Sequence, residues 1–114
     1  MKEITAIIQP HTLSHVVDAL HALPHFPGLT VLEKALGQGR GRGTGGAFLL
    51  TEHNIHFHHK VLLSIACEDA QCDAIVEVIA RHARTGNKGD GLITVKDVAR
   101  VVRIRSGETA GQAL

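Results

Sequence analysis

Aromatic residues are scarce in this chain: they make up 3% of its 114 residues, with three Phe and no Trp or Tyr. Its core must therefore be built from Val, Ile, Leu and Ala, for which a hydrophobic content of 44% suffices. A small aliphatic domain of this kind commonly buries further surface by oligomerising. Cysteine is also rare. Cys67 and Cys72 alone make no disulfide framework, which fits a cytoplasmic protein with reduced thiols. An excess of one charge sign is missing too. A net charge of +1 and a pI near 7.9 argue against a nucleic-acid binder driven by phosphate neutralisation. No apolar run approaches the roughly 20 residues that cross a bilayer, so membrane insertion is not expected. The N-terminus reads as a strand and not as a signal peptide. The length predicts a single domain over 1–114.

The apolar spacing predicts the elements. Ile4 to Ile8 is a buried strand that Pro10 ends. Leu13, Val16, Val17 and Leu20 form the stripe of an amphipathic helix, with Thr12 as its N-cap and Pro24 and Pro27 beyond its end. A second strand starts over Leu29–Leu32, and Val61–Ala66 is a central one. Asp69 is placed to cap a second helix whose stripe is Cys72, Ile75, Val76, Ile79 and Ala83. Strands follow at Leu92–Val95 and around Val101–Arg105. The order predicts an α+β, ferredoxin-like βαββαβ sandwich: an antiparallel sheet with two helices on one face. Between strands two and three, six of the ten residues 37–46 are glycine, which predicts a long flexible loop.

What is abundant sits mainly in loops. Thr85-Gly86-Asn87-Lys88-Gly89-Asp90-Gly91 directly follows the second helix. Glycines there let backbone N–H groups turn toward an anion without a Cβ in the way. Arg103 and Arg105, two apart on the expected last strand, would share a face and offer two guanidinium forks to phosphates or carboxylates. The plain alternative is a turn followed by a basic edge strand blunted against aggregation. No Walker A motif and no defensible Ser-His-Asp or Cys-His arrangement is present, so a binding site is expected and an enzyme is not.

The segments Thr85–Gly91 and Val102-Arg103-Ile104-Arg105-Ser106-Gly107-Glu108-Thr109 resemble those of the PII signal-transduction family. Thr5–Pro10 and Gly28–Val31 are similar to its first two strands, while about Leu36–His59 agrees poorly. The resemblance implies a cytoplasmic homotrimer binding ATP or ADP, with AMP a further ligand, in clefts between subunits. It implies nucleotide contacts at Thr30, Gly37, Arg84, Thr85, Gly86, Gly89, Asp90, Gly91, Arg103 and Arg105, with Lys60 at a loop root; Lys88, not usual at its position in the family, is a further candidate contact from the other side of the turn. It further implies a target protein, such as a membrane transporter or an enzyme, docking on the T-loop at about 37–58. Two departures stand out. Leu92 follows Gly-Asp-Gly where the family usually has lysine, and Gln9 replaces a first-strand lysine. Retained adenine-nucleotide binding with an altered preference is the expectation.

The T-loop is atypical. It lacks the tyrosine that many bacterial members modify, and it leads into His53-Asn54-Ile55-His56-Phe57-His58-His59. His56 and His58 at strand spacing could chelate a borderline divalent ion. The alternative is therefore a metal-binding or metal-responsive trimer, CutA-like or linked to heavy-metal efflux. The plain reading of the same histidines is a polar, solvent-facing strand end.

Overall fold

The computed structural model describes residues 1–39, 48–50 and 56–114, with 48–50 and 56 described by backbone alone. The two runs richest in β-branched and aliphatic residues pair at the centre of the sheet. β1 (Lys2–Ile8) runs antiparallel to β4 (His56–Cys67), with Ile4 opposite Ile65 and Ile8 opposite Val61. β2 (Thr30–Gly37) flanks β4, and β5 (Leu92–Asp97) flanks β1, giving the order β2-β4-β1-β5. A short β3 (Phe48–Leu50) pairs with the beginning of β4. The helices α1 (Leu13–His21) and α2 (Asp69–Ala83) complete the ferredoxin-like α+β sandwich that the apolar spacing predicts.

Alternation along the central strands sorts the two faces. Ile4, Ala6 and Ile8 of β1 join Leu63 and Ile65 of β4 beneath Val16 and Leu20 of α1 and Ile75 and Ile79 of α2. Each large aliphatic side chain so buried contributes about 1.5–3 kcal/mol. Cys67 and Cys72 belong to this core as free thiols. Burial, with the neighbouring Cys72 behind it, pushes the Cys67 thiol up to about 11, so it is a packing residue at neutral pH and not a nucleophile.

Neither helix covers the opposite face. There, residues paired across the strands form rows. Leu32, Leu62, Ile7 and Leu92 lie opposite one another across β2, β4, β1 and β5. The next row is Thr30, Ser64, Thr5 and Thr94, a line of four hydroxyls. At the two edges, Leu32 is 58% and Leu92 57% exposed.

Three local expectations change. Thr12 stands at the N-cap of α1, as expected, but its side chain makes no capping bond to the helix. It closes a 3-10 turn at Pro10–Thr12, its Oγ1 donating to the Gln9 carbonyl at 2.8 Å. The N-cap of α2 is Glu68, not Asp69: the Glu68 amide donates to Gln71 Oε1 at 3.2 Å. Asp69 opens the helix and pairs with the Met1 amino group at 2.7 Å, which holds its carboxyl below the usual range. The strand expected around Val101–Arg105 reduces to one bridge, Val102 with Thr109. Arg103 takes both backbone bonds of a tight turn, its N–H donating to Glu108 and its carbonyl accepting from Gly107, so Ile104–Ser106 turn instead of extending.

Among the described residues no helix is long and apolar enough to cross a membrane. Most of the expected T-loop, residues 40–47 and 51–55, and the His56 side chain lie outside the described residues.

Candidate functional site

At Arg84 the backbone leaves helical geometry for an extended conformation, and the chain enters the loop Thr85–Gly91. Gly86, Gly89 and Gly91 take φ of 87°, 91° and 101°, the left-handed region that glycine enters without steric cost. Gly91 has a second reason to be glycine. An ideal Cβ there would stand 1.7 Å from the Ile7 carbonyl oxygen, so the loop lies flat on β1 only without a side chain.

Asp90 braces the loop from within. Its carboxylate accepts from the Thr85 amide at 2.8 Å, the Gly86 amide at 2.9 Å, the Thr85 hydroxyl and Gln9 Nε2 at 3.0 Å. Desolvation works against its charge, but the donors from Thr85, Gly86 and Gln9 outweigh it and hold the carboxyl below its ordinary value. The Asn87 amide donates to Thr85 Oγ1 at 3.2 Å.

Lys60 braces the loop from the sheet. It is only 9% exposed, and its Nζ donates to the Gly89 carbonyl. A Cβ on Gly89 would lie 3.4 Å from that ammonium and 3.8 Å from Gln9 Nε2. A Cβ on Gly37 would lie 3.0 Å from Lys60 Cγ, so Gly37 gives the lysine its room. Gly37, Lys60, Gln9, Thr85, Gly86, Gly89 and Asp90 thus form one cluster. Arg84 adjoins it, lining a cavity of about 300 Å³ with Asp90, Gly91 and Ile7. Lys88 is exposed on the loop.

Thr30, Arg103 and Arg105 do not join this cluster within the chain. They line a separate groove of about 570 Å³ with Gly28, Ser64, Val102 and Leu114. Ser64, opposite Thr30, is four residues beyond Lys60 on β4, about 13 Å along the strand. Arg103 is fixed by Nε donating to the Ala113 carbonyl at 2.9 Å, and Arg105 lies in the turn. The two arginines therefore do not stand side by side on a strand.

Sequence reasoning missed the bracing roles of Gln9 and Lys60. Lys60 has a signal, a lone cation opening an apolar strand. Gln9 and Asp90 are 81 residues apart, and nothing local links them. For metal, the described residues include no group of three or more His, Cys, Asp or Glu that could hold an ion, and the His56 half of the expected pair lies outside them.

At Gly89 the loop backbone lies beside the Lys60 ammonium and the Gln9 side-chain amide, while the Thr85 and Gly86 amides serve Asp90 within the chain. Fold and loop together define a ferredoxin-like domain with a braced glycine loop. The profile of the family described as Nitrogen regulatory protein P-II matches residues 1–108. The nitrogen regulatory protein GlnK of Escherichia coli (strain K12) is 39% identical over 114 residues, the whole of both chains. Nitrogen regulatory protein P-II of Azospirillum brasilense is 41% identical and that of Rhizobium etli 42%, again over the full length of each. The chain belongs to the P-II family. It is thus a signal-transduction regulator and not an enzyme.

Proposed function

We propose that this P-II chain is a cytoplasmic homotrimer that binds ADP or ATP in clefts between subunits, and AMP in the same place, and controls a partner in nitrogen regulation through the loop at 37–58. The observation that carries this reading is the division of the expected site. The loop half, with Thr85, Gly86, Gly89, Asp90 and Lys60, and the arginine half, with Thr30, Arg103 and Arg105, are separate in one chain: Asp90 and the arginines line different cavities, and the β4 members Lys60 and Ser64 are about 13 Å apart along the strand. A single ligand can touch both when the loop of one copy faces the arginines of another. The apolar row Leu32–Leu62–Ile7–Leu92 supports association, because an exposed apolar line on an uncovered sheet face gains from burial against a second copy.

Signalling on this reading is local. Lys60 ties the loop backbone at Gly89 to the strand that follows the 37–58 segment, and Gly37 packs on the same lysine. A phosphate competing with the Gly89 carbonyl for the Lys60 ammonium alters the root of that segment, which a partner such as a membrane transporter reads. Calorimetry with ADP, paired with the mass of the particle by light scattering, tests the proposal. Saturable binding by a particle of three chains is the expected result. A monomer, or no heat with ADP, ATP and AMP alike, overturns it.

A further inference from the structure

Arg103 and Arg105 line one groove, but only one of the two side chains is held. Arg103 donates through Nε to the Ala113 carbonyl at 2.9 Å. Its backbone is fixed as well, the N–H donating to Glu108 and the carbonyl accepting from Gly107. Among the described residues its two Nη groups have no hydrogen-bond partner, and the Arg105 side chain has none at all. A guanidinium that bonds through Nε keeps its Nη pair as a planar fork for a phosphate or carboxylate.

The carbonyl that holds Arg103 is itself held. It belongs to a short 3-10 turn, Ala110–Ala113, which follows the Val102–Thr109 bridge. Ala113 is 4% exposed, although it lies outside the main core cluster. Another part of the turn rests on the start of α2: a Cβ on Gly111 would stand 2.7 Å from Oε1 of Glu68, the N-cap residue. The turn begins at Ala110 with φ of 55°, which a residue with a Cβ enters only at a cost. Local preference does not favour that start, so packing against Glu68 and Arg103 keeps the turn in place.

We infer that the Ala110–Ala113 turn is a positioning element for Arg103: the Ala113 carbonyl orients the guanidinium so that its Nη fork meets a phosphate in the groove, while Arg105 supplies charge without a fixed aim. This rests on the reading of the groove as the arginine half of a nucleotide site, and it adds which arginine is aimed and what aims it. A fork already held loses less side-chain freedom on binding than a mobile one, so Arg103 contributes more to affinity.

The test is calorimetry with ADP on the wild-type chain, on Arg103→Lys, Arg105→Lys and Ala113→Leu, and on Arg103→Lys combined with Ala113→Leu. Ala113→Leu adds bulk where the turn is buried, shifts the carbonyl and leaves the charge unchanged. Arg103→Lys should weaken ADP binding by about tenfold, the size of one hydrogen bond to a charged group, and Arg105→Lys by less. Ala113→Leu should weaken it by about tenfold too, with no further loss once Arg103 is lysine, because both changes act through one bond. In the ligand-free wild type, proton–nitrogen NMR should show the Arg103 Nε–H exchanging with water more slowly than that of Arg105. The exchange comparison and the two lysine variants decide the matter even where Ala113→Leu fails to fold. Losses that add in the combined variant overturn the inference. So does an Arg105→Lys loss as large as that of Arg103→Lys, or equal exchange at the two Nε–H groups. If ADP does not bind the wild type, the nucleotide reading itself falls and takes the inference with it.

Discussion

Lys60 and Gly89 meet across the top of the sheet: the buried ammonium of a β4 residue donates to the backbone carbonyl of a loop 29 residues further along the chain. This contact fastens the glycine loop to the strand that emerges from the 37–58 segment. Replacing Lys60 by Met keeps most of the aliphatic packing against Gly37 and removes the donor. Stability should fall by about 1.5–3 kcal/mol, the range for a hydrogen bond to a charged group. A urea titration should show a lower midpoint at an unchanged slope, and phosphate ligands should bind more weakly.

Gly91 is the least replaceable residue of the loop. With φ at 101° and the Ile7 carbonyl 1.7 Å from where a Cβ would stand, even Ala forces the loop off β1. Gly91→Ala should cost more than the roughly 1 kcal/mol of left-handed strain alone, because the clash is with backbone. Gly86→Ala has the same sign of φ and open space around its Cβ, so it should show only that smaller loss. Thermal melts of the two variants side by side check the contrast.

Asp90 makes the loop sensitive to acid. Its folded-state carboxyl titrates below the ordinary value of 3.8, so the unfolded chain binds the proton more tightly. The stabilisation is present above pH 3.8 and is lost as pH falls through the lower, folded-state value. Asp90→Asn should therefore lie below wild type in stability near neutral pH, and the gap should close on acidification into that window. Parallel urea titrations across pH report the difference.

Much of the fold is legible in the residues because it rests on periodicity. The stripe Leu13, Val16, Val17, Leu20 and the run Val61–Ala66 declare their elements without tertiary help. The loop after α2 is legible for a different reason, since its glycines occur where φ must turn positive. The failures are physical too. Val102-Arg103-Ile104 reads as a strand by β-branching, but Ser106-Gly107 is a turn signal, and the Gly107 bond to Arg103 decides between them. Asp69 is a good capping residue one position late, because Glu68 and Gln71 bond reciprocally and the Met1 amine claims Asp69. The Gln9–Asp90 bond depends on strand register, which spacing along the chain does not encode.

The central claim is that one site is made from halves of two copies, and subunit mixing tests it most directly. Gly86→Asp puts an anion into the loop half, at a position where an added Cβ meets nothing within 4 Å. Arg103→Ala with Arg105→Ala empties the other half. Each variant alone should fold, assemble and fail to bind ADP. Unfolded together and refolded as mixed trimers, they should regain binding at roughly one quarter of the clefts, those where an intact loop faces intact arginines. Mixed trimers that form and bind no ADP would contradict the account, as would either parent binding like wild type.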